Sequence, residues 1–262
     1  GFASGPGGLM ARALGLPLVI HEQNRVPGLT NQWLARIAAR VFEAFPGSFP
    51  PGLGAIACGN PVRAEIAALP PPEERLAARL QGLGPRRLLV LGGSLGAQAL
   101  NQALPPALMK IPAERRPQVR HQAGERTLAE AESGYARAGV AAEVTPFIAD
   151  MAEAYAWADL VVCRAGALTV SELAAVGLPA ILVPYPHAVD DHQTGNARFL
   201  SEAGAARLVP QADLTPDTLA AQLTALLGDA ALLLAMAKAA RAKARPDAAA
   251  RVAAACREVQ KA

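Results

Sequence analysis

The chain has 262 residues, which is longer than a usual single domain, so two domains or one large α/β domain are the first candidates. Apolar residues make up 52% of the sequence and aromatic residues only 4%. Much of the apolar content is alanine, which favours helix-rich α/β packing over a membrane protein. The formal net charge of +3 is too small to indicate a nucleic-acid-binding protein.

Neither the cysteines nor the apolar runs indicate a secreted or membrane-spanning protein. Cys58, Cys163 and Cys256 are widely spaced, and the sequence has no Cys-x-x-Cys pair or histidine cluster typical of zinc sites. This pattern predicts reduced structural thiols in a cytosolic protein without a metal centre. The longest apolar run, around Leu226 to Ala237, is shorter than the about 20 residues that a bilayer requires. We interpret it as helix surface.

Short apolar or β-branched runs alternate with helical patterns, as is typical of parallel sheets built from βαβ units. Helices are expected in most of the intervals, and two of them, 29–39 and 126–138, have an amphipathic pattern. The first places Leu29, Trp33 and Ile37 on one stripe. The predicted strands are Leu18–His21, Arg40–Glu43, Ala55–Cys58, Arg87–Leu91, Gln118–His121, Glu143–Thr145, Leu160–Cys163, Ala180–Val183 and Ala206–Val209.

The sequence divides near Asn60. Fewer residues precede this point than a domain of about 100 to 150 residues needs, whereas a complete α/β series follows it. Gly1 is not an initiator methionine, and the glycine-rich segment after it has no strand in front, so we expect a further N-terminal segment upstream. The predicted parts are the end of a first α/β domain at 1–61, a second α/β domain at 62–245, and a terminal helix at 246–262 that packs back on the first domain.

Three glycine-containing segments have the composition of a phosphate cradle, in which backbone N–H groups and a helix start attract an anion. Ser4–Gly8 is equally consistent with a plain turn. Leu91–Gln98 follows a predicted strand and precedes a helix, and Ser94 there can donate to a diphosphate oxygen. This segment lacks the lysine of a P-loop and the spacing of a dinucleotide fingerprint. In Cys163–Glu172, Glu172 either accepts hydrogen bonds from ribose hydroxyls or complements the helix dipole.

Two polar clusters suit a sugar or a proton transfer. Gln193 and Asn196 each offer a donor and an acceptor and lie three residues apart, which places both on one helix face. They suit sugar hydroxyls, or they simply begin a solvated helix. His21 and Glu22 lie at the end of a predicted strand, where they either act as a base beside an acceptor or cap a loop.

Six ordered motifs together resemble the MurG family, the undecaprenyldiphospho-muramoylpentapeptide β-N-acetylglucosaminyltransferases. The resemblance implies a GT-B fold, in which two Rossmann-like domains face each other across a cleft, with the N-terminal domain incomplete here. The family's opening strand and first glycine-rich loop, which holds its proposed catalytic base, have no counterpart in this chain. The motifs are SGPGG at 4–8, HEQN with GLTN at 21–31, GNPVR at 59–63, GGSLGAQ at 92–98, GALTVSE at 166–172 and DHQTGNA at 191–197.

The resemblance also implies roles for individual residues. Arg63 and Ser94 bind the diphosphate, Ile148 meets the uracil through its backbone, and Glu172 binds the ribose. Gly195 departs from the family pattern and is expected to loosen the sugar-binding turn. His21 and Glu22 lie on the acceptor side as candidates for catalysis. The remaining binding residues are the backbone donors Ala167, Leu168, Thr169, Val170 and Ser171, and the amides Asn24, Gln193 and Asn196 near the sugar.

The implied reaction is inverting transfer of N-acetylglucosamine from UDP-N-acetylglucosamine to the 4-hydroxyl of the muramoyl sugar of lipid I, which forms lipid II for peptidoglycan. Arginine and helix amides stabilise the departing UDP without a metal or cofactor. The implied partners are UDP-N-acetylglucosamine, lipid I and the inner face of the cytoplasmic membrane, with the protein peripheral on its cytoplasmic side. Two alternatives stay open: an enzyme like UDP-N-acetylglucosamine 2-epimerase, and a chain that binds the UDP-sugar without transferring it.

Overall fold

The computed structural model describes residues 4–82, 84–93 and 97–261. Ser94 lies outside these residues, and its role as a phosphate ligand stays a prediction. The described strands are β1 (Val19–Glu22), β2 (Arg40–Glu43), β3 (Ile56–Ala57), β4 (Arg87–Leu91), β5 (Gln118–Gln122), β6 (Glu143–Thr145), β7 (Leu160–Cys163), β8 (Ala180–Leu182) and β9 (Ala206–Leu208). The described α-helices are α1 (Ser4–Ala13), α2 (Leu29–Leu34), α3 (Ala64–Ala67), α4 (Pro72–Arg75), α5 (Ala77–Gln81), α6 (Gln98–Met109), α7 (Leu128–Ala138), α8 (Met151–Trp157), α9 (Ala167–Val176), α10 (His192–Ser201), α11 (Pro216–Leu227), α12 (Ala230–Ala242) and α13 (Ala248–Lys261).

The strands form two parallel sheets, one in the order β1-β2-β3 and one in the order β6-β5-β4-β7-β8-β9. Every predicted strand is confirmed, and each observed end lies within one residue of the predicted end. In the larger sheet the chain begins at the centre with β4, winds to one edge, and returns to β7 to wind to the other. This strand order is that of a Rossmann fold.

The central strands β4 and β7 are buried on both faces, as expected for a parallel sheet covered by helices. On one face Leu88 and Val90 pack with Leu160 in a core that includes residues of α6, α11 and α12. On the other face Leu89 and Val161 pack in a second core with residues of α8 and α9. Burying each such side chain stabilises the fold by about 1.5 to 3 kcal/mol. Because successive side chains of a strand point to opposite faces, the apolar run of each strand packs against helices on both sides of the sheet.

The N-terminal part differs from the sequence-based expectations at two places. Ser4–Gly8 lies inside α1 and not in a turn; a Cβ on Gly8 would lie 2.8 Å from a Leu34 methyl carbon, so the glycine lets α1 pack closely on α2. The predicted helix 29–39 ends at Leu34. Its apolar stripe faces solvent, with Leu29 69% and Trp33 66% exposed.

The apolar run around Leu226 to Ala237 is core and not helix surface, which corrects the interpretation from the sequence. It forms the end of α11 and the start of α12, which meet at 93°. Leu226, Leu233 and Met236 are all buried, and the Asp229 carboxylate caps α12 by accepting from the Leu232 amide at 2.9 Å. Across the described residues, a single helix long and apolar enough for a bilayer is absent; only α11 and α12 together meet that criterion.

The terminal helix α13 contacts the smaller sheet. Ala255 packs with Phe42 and Cys58, and the Arg251 guanidinium donates to the Ala57 carbonyl at 3.3 Å. The chain therefore passes between the two sheets near residue 60 and again near residue 246. The division into residues 1–61, 62–245 and 246–262 stays a prediction.

Candidate functional site

The candidate site lies at the centre of the larger sheet, where the direction of winding reverses. Leu91 at the end of β4 pairs in register with Cys163 at the end of β7. The glycine-rich loop after β4 and the start of α9 therefore leave the same edge of the sheet from neighbouring strands. Open α/β sheets bind ligands in the crevice at such a switch point.

The start of α9 presents a short set of backbone donors. Its cap, Gly166, is extended, and no side chain satisfies the first amides. Residues 167–169 occupy the first turn, where helix geometry leaves the N–H groups without intrahelical acceptors and favours an anion. The Val170 amide already donates to the Gly166 carbonyl at 2.9 Å, and its side chain is buried. Val170 and Ser171 thus lie beyond the free turn, where helix geometry pairs the backbone amides within the helix, and their predicted role as backbone donors to phosphate stays a prediction.

Glu172, predicted to bind the ribose, contacts both Arg63, predicted to bind the diphosphate, and Tyr155. One carboxylate oxygen accepts from the Arg63 guanidinium at 3.3 Å, and the other accepts from the Tyr155 hydroxyl at 2.9 Å. Burial, reinforced by the Glu172 charge, raises the pKa of Tyr155 well above its ordinary value, so Tyr155 remains a donor. Arg63 is about half exposed and has a fork suited to phosphate oxygens, whereas the carboxylate suits a pair of hydroxyls.

Ile148 lies between β6 and α8. Its side chain is half-buried and packs on the core beneath α9. The neighbouring Phe147 and Leu168 are large and exposed. Leu168 lies one turn before Glu172 on α9, and an exposed apolar side chain there suits a flat base, while the backbone contact of Ile148 with uracil stays a prediction.

The linker 59–63 is held in place by buried polar contacts. The Asn60 amide donates to the Ser171 hydroxyl of α9 at 3.0 Å and to the Gln23 carbonyl, directly after β1, at 3.1 Å. The linker is therefore bonded to a helix beside the larger sheet and to the loop that follows the first strand of the smaller sheet. Gly59 has a φ of 85°, and a Cβ there would lie 2.4 Å from the Cβ of Arg245. Only glycine fits this close crossing. The packed linker thereby carries Arg63 to the edge of the larger sheet.

The two acceptor-side candidates both make structural contacts. Glu22 is 3% exposed, and its carboxylate accepts from the Asn24 amide at 2.8 Å, from the Asn31 side chain at 2.8 Å and from the Gly28 amide at 3.3 Å. These bonds hold the loop between β1 and α2, and they disfavour Glu22 as a base because a base needs access to a substrate hydroxyl. His21 places Nε2 2.9 Å from the Gly59 carbonyl, which ties β1 to the linker.

The two amides of α10 are not equivalent. Gln193 is partly exposed, and its side-chain oxygen accepts from the Tyr185 amide at 2.9 Å, which holds it beside the loop after β8. Asn196 is fully buried and binds Asn24, Arg25 and Ala165. Burial turns the Asn196 amide toward protein partners, whereas Gln193 is the more accessible of the two, and a sugar contact by either amide stays a prediction.

Two arginines that the sequence did not single out support the site. Arg164, directly after β7, donates to the Val183 and Pro184 carbonyls and to the Gln211 side chain, and burial lowers its pKa. Arg75 on α4 donates to four carbonyls at the ends of α8 and α9, and burial lowers its pKa to about 10. No local pattern predicts these bonds, because the acceptors belong to distant segments.

Within the described residues, no three His, Cys, Asp or Glu side chains are grouped so as to hold a metal ion. The cysteines are all free. Cys58 and Cys163 are buried, and burial raises the pKa of both thiols, to about 12 for Cys163. Both therefore behave as small core side chains.

Comparison with known proteins agrees with this geometry. The family model for the glycosyltransferase family 28 C-terminal domain matches residues 87–252, and the model for the family 28 N-terminal domain matches residues 1–43. The first match contains the whole larger sheet. The second contains β1, β2 and the loop held by Glu22.

Two relatives share one transferase name, and one solved structure is similar over the whole chain. The UDP-N-acetylglucosamine–N-acetylmuramyl-(pentapeptide) pyrophosphoryl-undecaprenol N-acetylglucosamine transferase of Marinobacter nauticus is 58% identical over 98% of this chain, which covers 70% of that protein. The transferase of the same name from Xanthomonas axonopodis pv. citri is 60% identical over 97% of this chain, which covers 58% of it. The crystal structure of Acinetobacter baumannii MurG is 44% identical and has a TM-score of 0.86, covering 100% of this chain and 72% of that one. This likeness confirms the predicted GT-B fold class.

Proposed function

The chain belongs to the MurG family of glycosyltransferases, and from this premise we propose that it transfers N-acetylglucosamine from UDP-N-acetylglucosamine to lipid I. The 4-hydroxyl of the muramoyl sugar attacks the anomeric carbon from the face opposite UDP. The new carbon–oxygen bond forms as the bond to the β-phosphate oxygen breaks, so the configuration inverts. The hydroxyl proton passes to a base, and the negative charge leaves with UDP.

The observation that carries the proposal is the Arg63–Glu172–Tyr155 contact beside the first turn of α9. Glu172 accepts from the ribose hydroxyls, with Tyr155 holding the carboxylate in place. Arg63 and the amides of 167–169 stabilise the charge that develops on the diphosphate. Gln193 contacts the sugar from α10. The residues to which we assign these roles lie on neighbouring elements at the carboxyl edge of the larger sheet, where open α/β sheets bind ligands.

The test is a product assay with labelled UDP-N-acetylglucosamine, a lipid I analogue and EDTA. We expect label to pass to the lipid with release of one UDP per transfer, because cationic side chains and helix amides stabilise the leaving group. Isomerised sugar formed without acceptor would instead support the epimerase alternative. A chain that binds the UDP-sugar and never labels the lipid would contradict the transferase proposal.

We also propose that the protein associates with an anionic membrane surface through the outer faces of α1 and α2. Leu9 and Met10 of α1 and Trp33 of α2 are all largely exposed. The Arg36 guanidinium lies 4.8 Å from the Trp33 ring centroid. Apolar side chains next to cations suit the boundary between acyl chains and anionic headgroups.

Trp33→Ser is expected to lower binding to vesicles that contain phosphatidylglycerol by about fivefold, since an interfacial aromatic ring is lost. Co-sedimentation measures the bound fraction. The matched control is Met109→Ser, which removes a half-exposed apolar side chain from α6. Equal binding by both variants and the unmodified protein would contradict the proposed membrane face.

A further inference from the structure

We propose that Asn196, with Asn24 and the Arg25 backbone, forms a latch that positions the acceptor-side loop against the helix that carries the sugar-binding amide. We call these groups the amide latch. The inference rests on the proposed function for its catalytic consequence, and it assigns Asn196 a positioning role in place of a sugar contact.

Asn196 uses both ends of its side-chain amide to join three segments. Its oxygen accepts from the Arg25 amide at 2.8 Å, and its nitrogen donates to the Asn24 side-chain oxygen at 3.2 Å and to the Ala165 carbonyl at 3.2 Å. The side chain is fully buried, so these bonds are not in competition with water. A carboxylate would lack the donors and an aliphatic side chain would lack both functions, so an amide is the group that fits.

Glu22 holds the loop that receives these bonds. The carboxylate gathers the amides of Asn24 and Gly28 and the side chain of Asn31. Asn24 also donates its side-chain nitrogen to Glu22 at 3.4 Å, which turns its oxygen toward Asn196. Glu22 thus acts through Asn24 and is itself a positioning residue.

Gly195 permits the close approach of α10 to this loop. A Cβ at Gly195 would lie 3.2 Å from the Arg25 Cβ and 3.4 Å from a Val26 methyl carbon. The expectation that Gly195 loosens a sugar-binding turn is therefore wrong. The glycine lies inside α10, and its missing side chain brings the latch within hydrogen-bonding distance.

The latch connects both sides of the proposed reaction. Gln193, expected to contact the donor sugar, lies one turn from Asn196 on α10. Ala165 directly precedes Gly166, the cap of α9, whose first turn is expected to bind phosphate. The loop 22–31 belongs to the part of the chain expected to face the acceptor. Loss of the latch should therefore disturb alignment for transfer more than nucleotide affinity.

Amide hydrogen exchange tests the latch without any ligand or activity. Asn196→Ala is expected to speed exchange of the Arg25 amide about tenfold, because its acceptor is removed, while the Asn24 amide, held by Glu22, changes less than about twofold. Thr194→Val is the matched control on the same helix, since Thr194 bonds to Asp191 and not to the loop. Unchanged Arg25 exchange in Asn196→Ala would overturn the latch.

Kinetics test the consequence for transfer. We expect Asn196→Ala to lower kcat about tenfold with UDP affinity within about twofold, and Asn24→Ala combined with it to add little further loss. A parallel loss of UDP affinity, or fully additive effects, would overturn the positioning role. If Asn196→Ala fails to fold, Gly195→Ala inserts a methyl group at the same contact and is expected to give the same pattern. Absence of transfer by the unmodified protein would contradict the proposed function, while the exchange result would still decide the latch.

Discussion

Glu172→Ala is expected to weaken UDP binding about 30-fold, equivalent to about 2 kcal/mol. The carboxylate lies at the switch point of the larger sheet, where it accepts from Arg63 and Tyr155. The two oxygens of this carboxylate suit the two ribose hydroxyls, and hydrogen bonds from hydroxyls to a charged oxygen are strong. Isothermal titration calorimetry with UDP measures the loss.

Two further variants separate ribose binding from indirect effects. Glu65→Ala removes the other carboxylate near Arg63, at 3.9 Å, and is expected to leave UDP affinity within about twofold because an exposed pair contributes little. Glu172→Gln keeps an acceptor for the buried Tyr155 hydroxyl, so its fold is retained. Unchanged UDP affinity in folded Glu172→Ala and Glu172→Gln would remove the ribose role.

Lowering the pH from 7 to 5 is expected to reduce the free energy of unfolding by about 2 kcal/mol through His121 alone. His121 is fully buried in β5, where its Nδ1 lies 3.0 Å from the Tyr135 hydroxyl. Burial lowers the pKa of His121 to about 4. The folded protein therefore keeps the ring neutral while the unfolded chain takes up a proton below about pH 6.5. Stability falls from there down to about pH 4.

Urea denaturation of His121→Asn at pH 7 and pH 5 isolates this contribution. Asparagine keeps a polar atom near Tyr135 and does not titrate, so the fall between the two pH values should shrink by about 2 kcal/mol relative to the unmodified protein. His187 is exposed, and His187→Asn is expected to leave the fall unchanged. An equal fall in His121→Asn and the unmodified protein would show that the ring is charged in the folded state.

The sequence by itself determined the strands, the fold class and the family. Strand positions were predictable because the central strands of a covered parallel sheet are short apolar runs, a signal that depends on neighbouring residues alone. The order of the glycine and amide motifs is enough to identify the family, because it can be read from the sequence without any tertiary contact. The segment around Leu226 shows the limit, because composition could not separate a buried bend between helices from helix surface.

The tertiary structure decided what the polar residues do. Asn196 looked like a sugar ligand from its type and spacing, but its partners Asn24 and Arg25 lie 172 and 171 residues away in the sequence. Glu22 is a candidate base by residue type, whereas in the folded chain its carboxylate holds a loop. A side chain's chemistry is local, whereas its burial and hydrogen-bond partners come from segments that only the folded chain brings together. For the same reason the exposed stripe at Trp33 was not predictable from helical periodicity, which identifies an apolar face without identifying what covers it.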